Sequence, residues 1–247
     1  MRAFGTLLKN EIKLSIRDMN MVIFAICMPL VVLVILGCLY GNRPAFDGAA
    51  YSFVEQSFGA LCAIAICASG LMGLPLVVAD AREKQVLKRF RVTPASPALL
   101  LGVDLVMYAL YCAASLLTLA VCAGLFWGAR VRGSVLAFLG SWLLTMVSTL
   151  SIGLLVGGVA KNTKQAGVIA SLLYFPMLVF SGTTLPLEVM PDAMQRVMRL
   201  FPLTQGIGLM KACFTGAPVD SPWLIIAVIA VVIVACLGAA VRWFRWE

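Results

Sequence analysis

Hydrophobic and polar positions fall in long blocks along this chain, without the short spacing of a soluble fold. A membrane-crossing helix takes about 20 predominantly apolar residues. Runs of about that length recur at 21–41, 53–79, 98–127, 134–160, 167–183 and 223–241. They predict six transmembrane helices. Three further segments belong neither to these runs nor to ordinary loops.

The first segment covers residues 1–20. Phe4, Leu8, Ile12 and Ile16 recur every four residues with Leu7 beside them, while Lys9, Lys13 and Arg17 form the opposite row. That pattern is an amphipathic helix lying in the membrane interface. It serves either as a plain anchor or as a lever touching a partner.

The second segment, 80–97, reads as a short helix with Val86, Leu87 and Phe90 on one face and Arg82, Lys84, Lys88, Arg89 and Arg91 around them. Asp80 precedes Lys84 by four residues, the favourable order for a helical ion pair. Thr93-Pro94 stops the helix, because the residue before proline avoids helical angles, and Ser96-Pro97 starts the next one. A plain basic loop needs charge alone. An apolar face with sharp proline ends is what a docking element needs.

The third segment, 183–221, is too apolar for a free loop and too interrupted to span. Met190, Met194, Val197, Met198 and Phe201 share a helical face, Pro191 suits a helix start, and Pro202 divides the segment. A second short helix then runs to about Phe214, with Gly216 as its stop. Two short re-entrant helices dipping in from the outer face fit this pattern, and a lid with no transport role fits it too.

Composition agrees with the pattern. The 247 residues are 62% hydrophobic and 12% charged, against about half and a quarter in soluble domains. The fold class is therefore all-α and polytopic, a single transmembrane domain over 1–247 with little room for a soluble one. No cleavable leader is expected, because the first span follows a 20-residue charged segment.

Charge sets the orientation. With six spans, both termini share a side with 80–97 and 161–166, and that side holds thirteen of the nineteen basic residues. Basic loops stay cytoplasmic, so both termini are expected inside. The net charge of +8 then needs no nucleic acid to explain it.

Few residues could carry chemistry within the spans. Glu55 lies near the outer end of the second and Asp104 one to two turns into the third. An ionisable group in a span is a functional candidate. Gly37-x-x-x-Gly41, Gly124-x-x-x-Gly128 and Gly153-x-x-x-Gly157 permit close helix approach. Pro29, Pro75 and Pro176 are expected to kink their spans, and Pro75 to act as a hinge before the basic loop.

Several chemistries are excluded or disfavoured. No Gly-Lys dipeptide occurs, so the chain has no phosphate-binding loop of the G-x-x-x-x-G-K type, and it has no histidine for a triad or a metal site. The eight cysteines lack metal-type pairing and read as small apolar residues.

Three stretches in order resemble the membrane subunit of ABC-2 type exporters, the permease group that includes drug and polysaccharide exporters. They are Arg82-Glu83-Lys84 with Leu87-Lys88-Arg89 and Thr93-Pro94-Ala95-Ser96-Pro97, then Phe175-Pro176, Ser181-Gly182, Pro186-Leu187, Pro191 and Phe201-Pro202-Leu203-Thr204, and the amphipathic leader. Gln85-Val86 and Phe201 depart from the group's pattern, which has Gly-Thr and a polar residue there. The resemblance implies a bacterial inner-membrane exporter in which two permeases pair and two separate ATPase subunits, carrying the ATP and magnesium, bind below. No cofactor is then expected on this chain. The 80–97 segment would be the coupling helix, with Arg82, Glu83, Lys84, Val86, Leu87, Lys88, Arg89, Phe90 and Arg91 as its ATPase-coupling residues and Lys9, Lys13 and Arg17 on a second contact. Phe175, Pro176, Pro186, Pro191, Phe201 and Pro202 would belong to the outer gate. Substrate remains open between drug, lipid-like and glycan molecules. A gradient-driven secondary transporter using Glu55 or Asp104 is the alternative, and a non-transporting assembly factor is a third.

Overall fold

The computed structural model describes residues 2–17, 19–41, 43–46, 49–84, 97–180, 201–218 and 221–243. The described residues form helices in the order α1 (Arg2–Arg17), α2 (Met19–Val22), a π-helical stretch (Ile23–Cys27), α3 (Met28–Tyr40), α4 (Phe53–Cys67) and a second π-helical stretch (Ala68–Gly73). These are followed by α5 (Leu74–Glu83), α6 (Pro97–Trp127), α7 (Val135–Val159), α8 (Thr163–Phe180), α9 (Pro202–Thr215) and α10 (Pro222–Trp243).

Five of these helical segments are long and apolar enough to cross a membrane: Ile23–Tyr40, Phe53–Glu83, Leu99–Trp127, Val135–Val159 and Pro222–Ala240. A sixth, Thr163–Val179, is shorter and also apolar. At 1.5 Å per residue its 17 residues reach about 26 Å, close to the hydrocarbon thickness. These are the six predicted spans. The second runs four residues past its expected end, and the fifth begins four residues early, at Thr163.

The amphipathic leader is helical as expected. Lys9 and Lys13 are exposed, while Phe4, Leu7 and Leu8 are half-buried, and α1 packs against α6 with the Phe4 ring near Gly102. The Arg17 side chain, Val86 through Arg91, Pro186 and Pro191 lie outside the described residues. So does the first of the two predicted re-entrant helices. The second is α9, started by Pro202 in its first turn and ended by Gly216 in the left-handed conformation (φ 78°). There the Gly216 N–H closes the helix on the Ala212 carbonyl at 2.8 Å.

Proline shapes the first two spans without ending them. A proline lacks the N–H of the helical ladder, and its ring crowds the carbonyl four residues back. Immediately before Pro29 the Met28 N–H reaches back five residues to the Ile23 carbonyl, and before Pro75 the Leu74 N–H reaches the Ser69 carbonyl. The widened turn takes up the misfit. The two π-helical stretches also pack against each other.

The second span is the centre of the bundle and contributes more of the buried side chains than any other span among the described residues. It meets α7 at close quarters. A Cβ placed on Gly153 would overlap the Gly70 carbonyl, and one on Gly157 would press on Val78 Cβ at 2.8 Å and the Pro75 carbonyl at 3.0 Å. The Gly153-x-x-x-Gly157 pair is thus a groove for the second span within the subunit. The periphery is apolar: α10 exposes Trp223, Val231 and Val234, and α3 exposes Val31, Ile35 and Leu39. Lipid or another subunit is what such a surface needs for cover.

Candidate functional site

The end of the bundle that carries α1, the C-terminus of α5 and the start of α6, the basic end, is built around three consecutive residues, Arg82, Glu83 and Lys84. Lys84 lies at the C-terminal end of α5, and its ammonium pairs with Asp80 at 2.8 Å, the expected four-residue pair. Both side chains are exposed, which limits the pair to a few tenths of a kcal/mol.

Arg82 turns inward. It is 7% exposed and donates to the carbonyls of Gly158 (2.9 Å), Gly157 (3.1 Å) and Ala160. These carbonyls belong to the C-terminal end of α7, where the last turn leaves acceptors without helical partners. A guanidinium there satisfies them and opposes the negative end of the helix dipole. Burying that charge is tolerable only with its donors occupied.

Glu83 grips the next helix. Its carboxylate accepts from the Thr163 N–H at 2.9 Å and from the Thr163 hydroxyl, at the first residue of α8. Asn162 completes that N-terminus by accepting from the Gln165 N–H at 2.8 Å. Two adjacent residues of α5 therefore hold the end of α7 and the start of α8.

Glu55 sits at the opposite end, 3% exposed. Ser52 and Glu55 form a capping box: the Glu55 N–H donates to Ser52 Oγ at 3.2 Å, and the Ser52 N–H donates to Glu55 Oε2 at 3.0 Å. The same carboxylate accepts from the Arg130 N–H at 3.1 Å and pairs with Arg132 Nε at 3.0 Å. The Arg132 and Gly133 N–H groups in turn donate to the Phe214 carbonyl of α9, at 2.8 and 3.2 Å. Glu55 thus fastens α4 to the loop between α6 and α7, and that loop to α9. The sequence reading missed this role, although Ser-x-x-Glu ahead of an apolar run is the capping-box signature.

Asp104 is 4% exposed in the second turn of α6, and its Oδ2 has no hydrogen-bond partner among the described residues. Among the residues expected at the gate, Phe201 precedes α9 and Pro202 is buried in its first turn. Phe175, by contrast, is 58% exposed on α8, and Pro176 is half-buried inside that helix. At the other end of α9, Phe214 stacks on Phe58 (4.6 Å between ring centres) and meets Phe138 edge-on (5.4 Å). These three rings line an apolar groove of about 480 Å³ with Leu116, Ala120 and Leu139. Among the described residues, no three His, Cys, Asp or Glu side chains come together as a metal site would require.

Comparison with known proteins points one way. Over 97 residues, 39% of the chain, it is 31% identical to the inner membrane transport permease YhhJ of Escherichia coli (strain K12). It is 33% identical over 76 residues, 31% of the chain, to nodulation protein J of Neorhizobium galegae. It is 24% identical over 118 residues, 47% of the chain, to the capsule polysaccharide export inner-membrane protein CtrC of Neisseria meningitidis serogroup A. The chain spans 26%, 29% and 44% of those three relatives, less than half in each case. The model of the ABC-2 type transporter family matches residues 2–215, nearly the whole chain, and with the helical bundle described above it establishes that this protein belongs to the ABC-2 type transporter family.

Proposed function

We propose that this chain is the membrane permease subunit of an ATP-driven exporter, with ATP hydrolysed by a separate subunit that binds the basic end. The observation that carries the reading is the anchoring of α5: the helix that leads into the basic segment is bonded through Arg82 and Glu83 to two further spans. An outside force applied to that segment has a direct route into the bundle. Two permeases pair through their apolar flanks, two ATPases bind below, and both termini lie in the cytoplasm of a bacterial inner membrane. ATP and magnesium sit on the partner, and this chain is not itself an enzyme. The substrate is amphipathic, a lipid-like, drug or glycan-bearing molecule; the apolar groove beside α9 and the capsule polysaccharide export named for CtrC support that class.

The test is purification of tagged protein from its native membrane in mild detergent, beside the Lys88→Glu, Arg89→Glu double variant. A phosphate-loop ATPase that accompanies the wild type and is lost from the variant is the expected result. No ATPase under any gentle condition overturns the reading and leaves the gradient-driven transporter in first place.

A further inference from the structure

We infer that Arg82 and Glu83 are positioning residues that join α5 to the α7–α8 turn, so that displacement of the segment after Lys84 moves the fourth and fifth spans together. The inference deepens the proposed coupling function and rests on it. Consecutive residues on a helix project about 100° apart, and here that divergence is used to grip two helix ends. The guanidinium occupies the carbonyl end of α7, and the neighbouring carboxylate occupies the amide end of α8. Each charge faces the pole of a helix dipole that attracts it. The same α5 is held against α7 further along, where Pro75 and Val78 lie in the groove left by Gly157. Sliding between these helices is blocked at that groove, and parting at the turn is opposed by the bonds from Arg82 and Glu83. Pro75 lies inside this joined body. The widened π-helical stretch at 68–73 lies just beyond it. Asp80 and Lys84 face outward and remain available for contact with a partner, whereas Arg82 is buried and bonded inward.

The test uses the permease purified with its ATPase as wild type, Glu83→Gln, Thr163→Ala and the double variant. ATP with orthovanadate is the probe, and hydrogen–deuterium exchange reads residues 80–97 and 157–170. In the wild type, trapping should change exchange in both segments. Thr163→Ala should retain the same amount of ATPase and the change at 80–97, and both single variants should lose at least two-thirds of the change at 157–170. The double variant should be no worse than Glu83→Gln, because both remove one contact. Thr163→Ala keeps the carboxylate and the loop, so the result stands even where Glu83→Gln folds poorly. A wild type in which 80–97 responds and 157–170 does not overturns the inference. So do variants that transmit like the wild type, or a Thr163→Ala form that releases the ATPase. Absence of any ATPase, or of any response at 80–97, defeats the coupling function itself.

Discussion

Glu55 Oε2 and Arg132 Nε lie 3.0 Å apart and join the start of the second span to the loop between the third and fourth. The carboxylate is buried and the guanidinium half-exposed, so the pair is partly screened. Its larger contribution is that Glu55 also accepts the Ser52 and Arg130 amides, which would otherwise lack partners. Glu55→Gln should lower stability by about 1–3 kcal/mol, the cost of weakening buried charge-assisted bonds. Ser52→Ala should cost about 1 kcal/mol through the lost cap. Thermal unfolding in detergent checks both, and the two effects should fall short of additive because they share one network.

The Gly153 groove gives a sharper contrast. Gly153→Ala puts a methyl group into the Gly70 carbonyl, which is backbone and cannot swing aside. The folded fraction recovered by size-exclusion chromatography should fall severely. Gly140→Ala on the same helix meets nothing within 4 Å and should be neutral or stabilising by up to about 1 kcal/mol.

Asp104 is buried with one carboxylate oxygen lacking a partner among the described residues. Asp104→Asn removes the charge at nearly constant volume. The melting temperature should rise, with ATPase retention unchanged. A fall would assign Asp104 a bond or an ion that holds the carboxylate in place.

The thiols report on packing. Cys62, Cys67 and Cys112 are buried between spans, whereas Cys27 and Cys38 are exposed on the first span. A small, membrane-permeant maleimide should leave Cys62, Cys67 and Cys112 unlabelled in native protein and reach them only after denaturation, as read by peptide mass.

Much of this arrangement is visible in the residue pattern. Pro202 and Gly216 mark α9 because proline and left-handed glycine act locally. The blocks of apolar residues mark the spans because a bilayer imposes their length. What is invisible is contact across the chain. Arg82 reads as one more basic residue of a surface segment, and nothing nearby in sequence says that the carbonyls of residues 157–160 are waiting for it. The fifth span begins early for the same reason: Lys161 and Lys164 look like loop, and the α8 start at Thr163 is bonded to Glu83, eighty residues away. Glu55 was legible as a cap and was weighed as an intramembrane charge. The π-helical stretches leave no periodic signature, because one extra residue per turn barely disturbs an apolar run.

The second span is pinned at both extremities, by Glu55 at one and by Arg82 and Glu83 at the other, with the π-helical stretch between them. Its angular phase is therefore fixed at two points. Straightening 68–73 into ordinary α-helical turns without removing a residue would rotate everything beyond it by about 100°. Arg82 would then miss the end of α7 while the hydrophobic pattern of the span stayed intact. In this helix a residue of length is also an angle of rotation, and the bulge beside Pro75 sets which way the basic end faces.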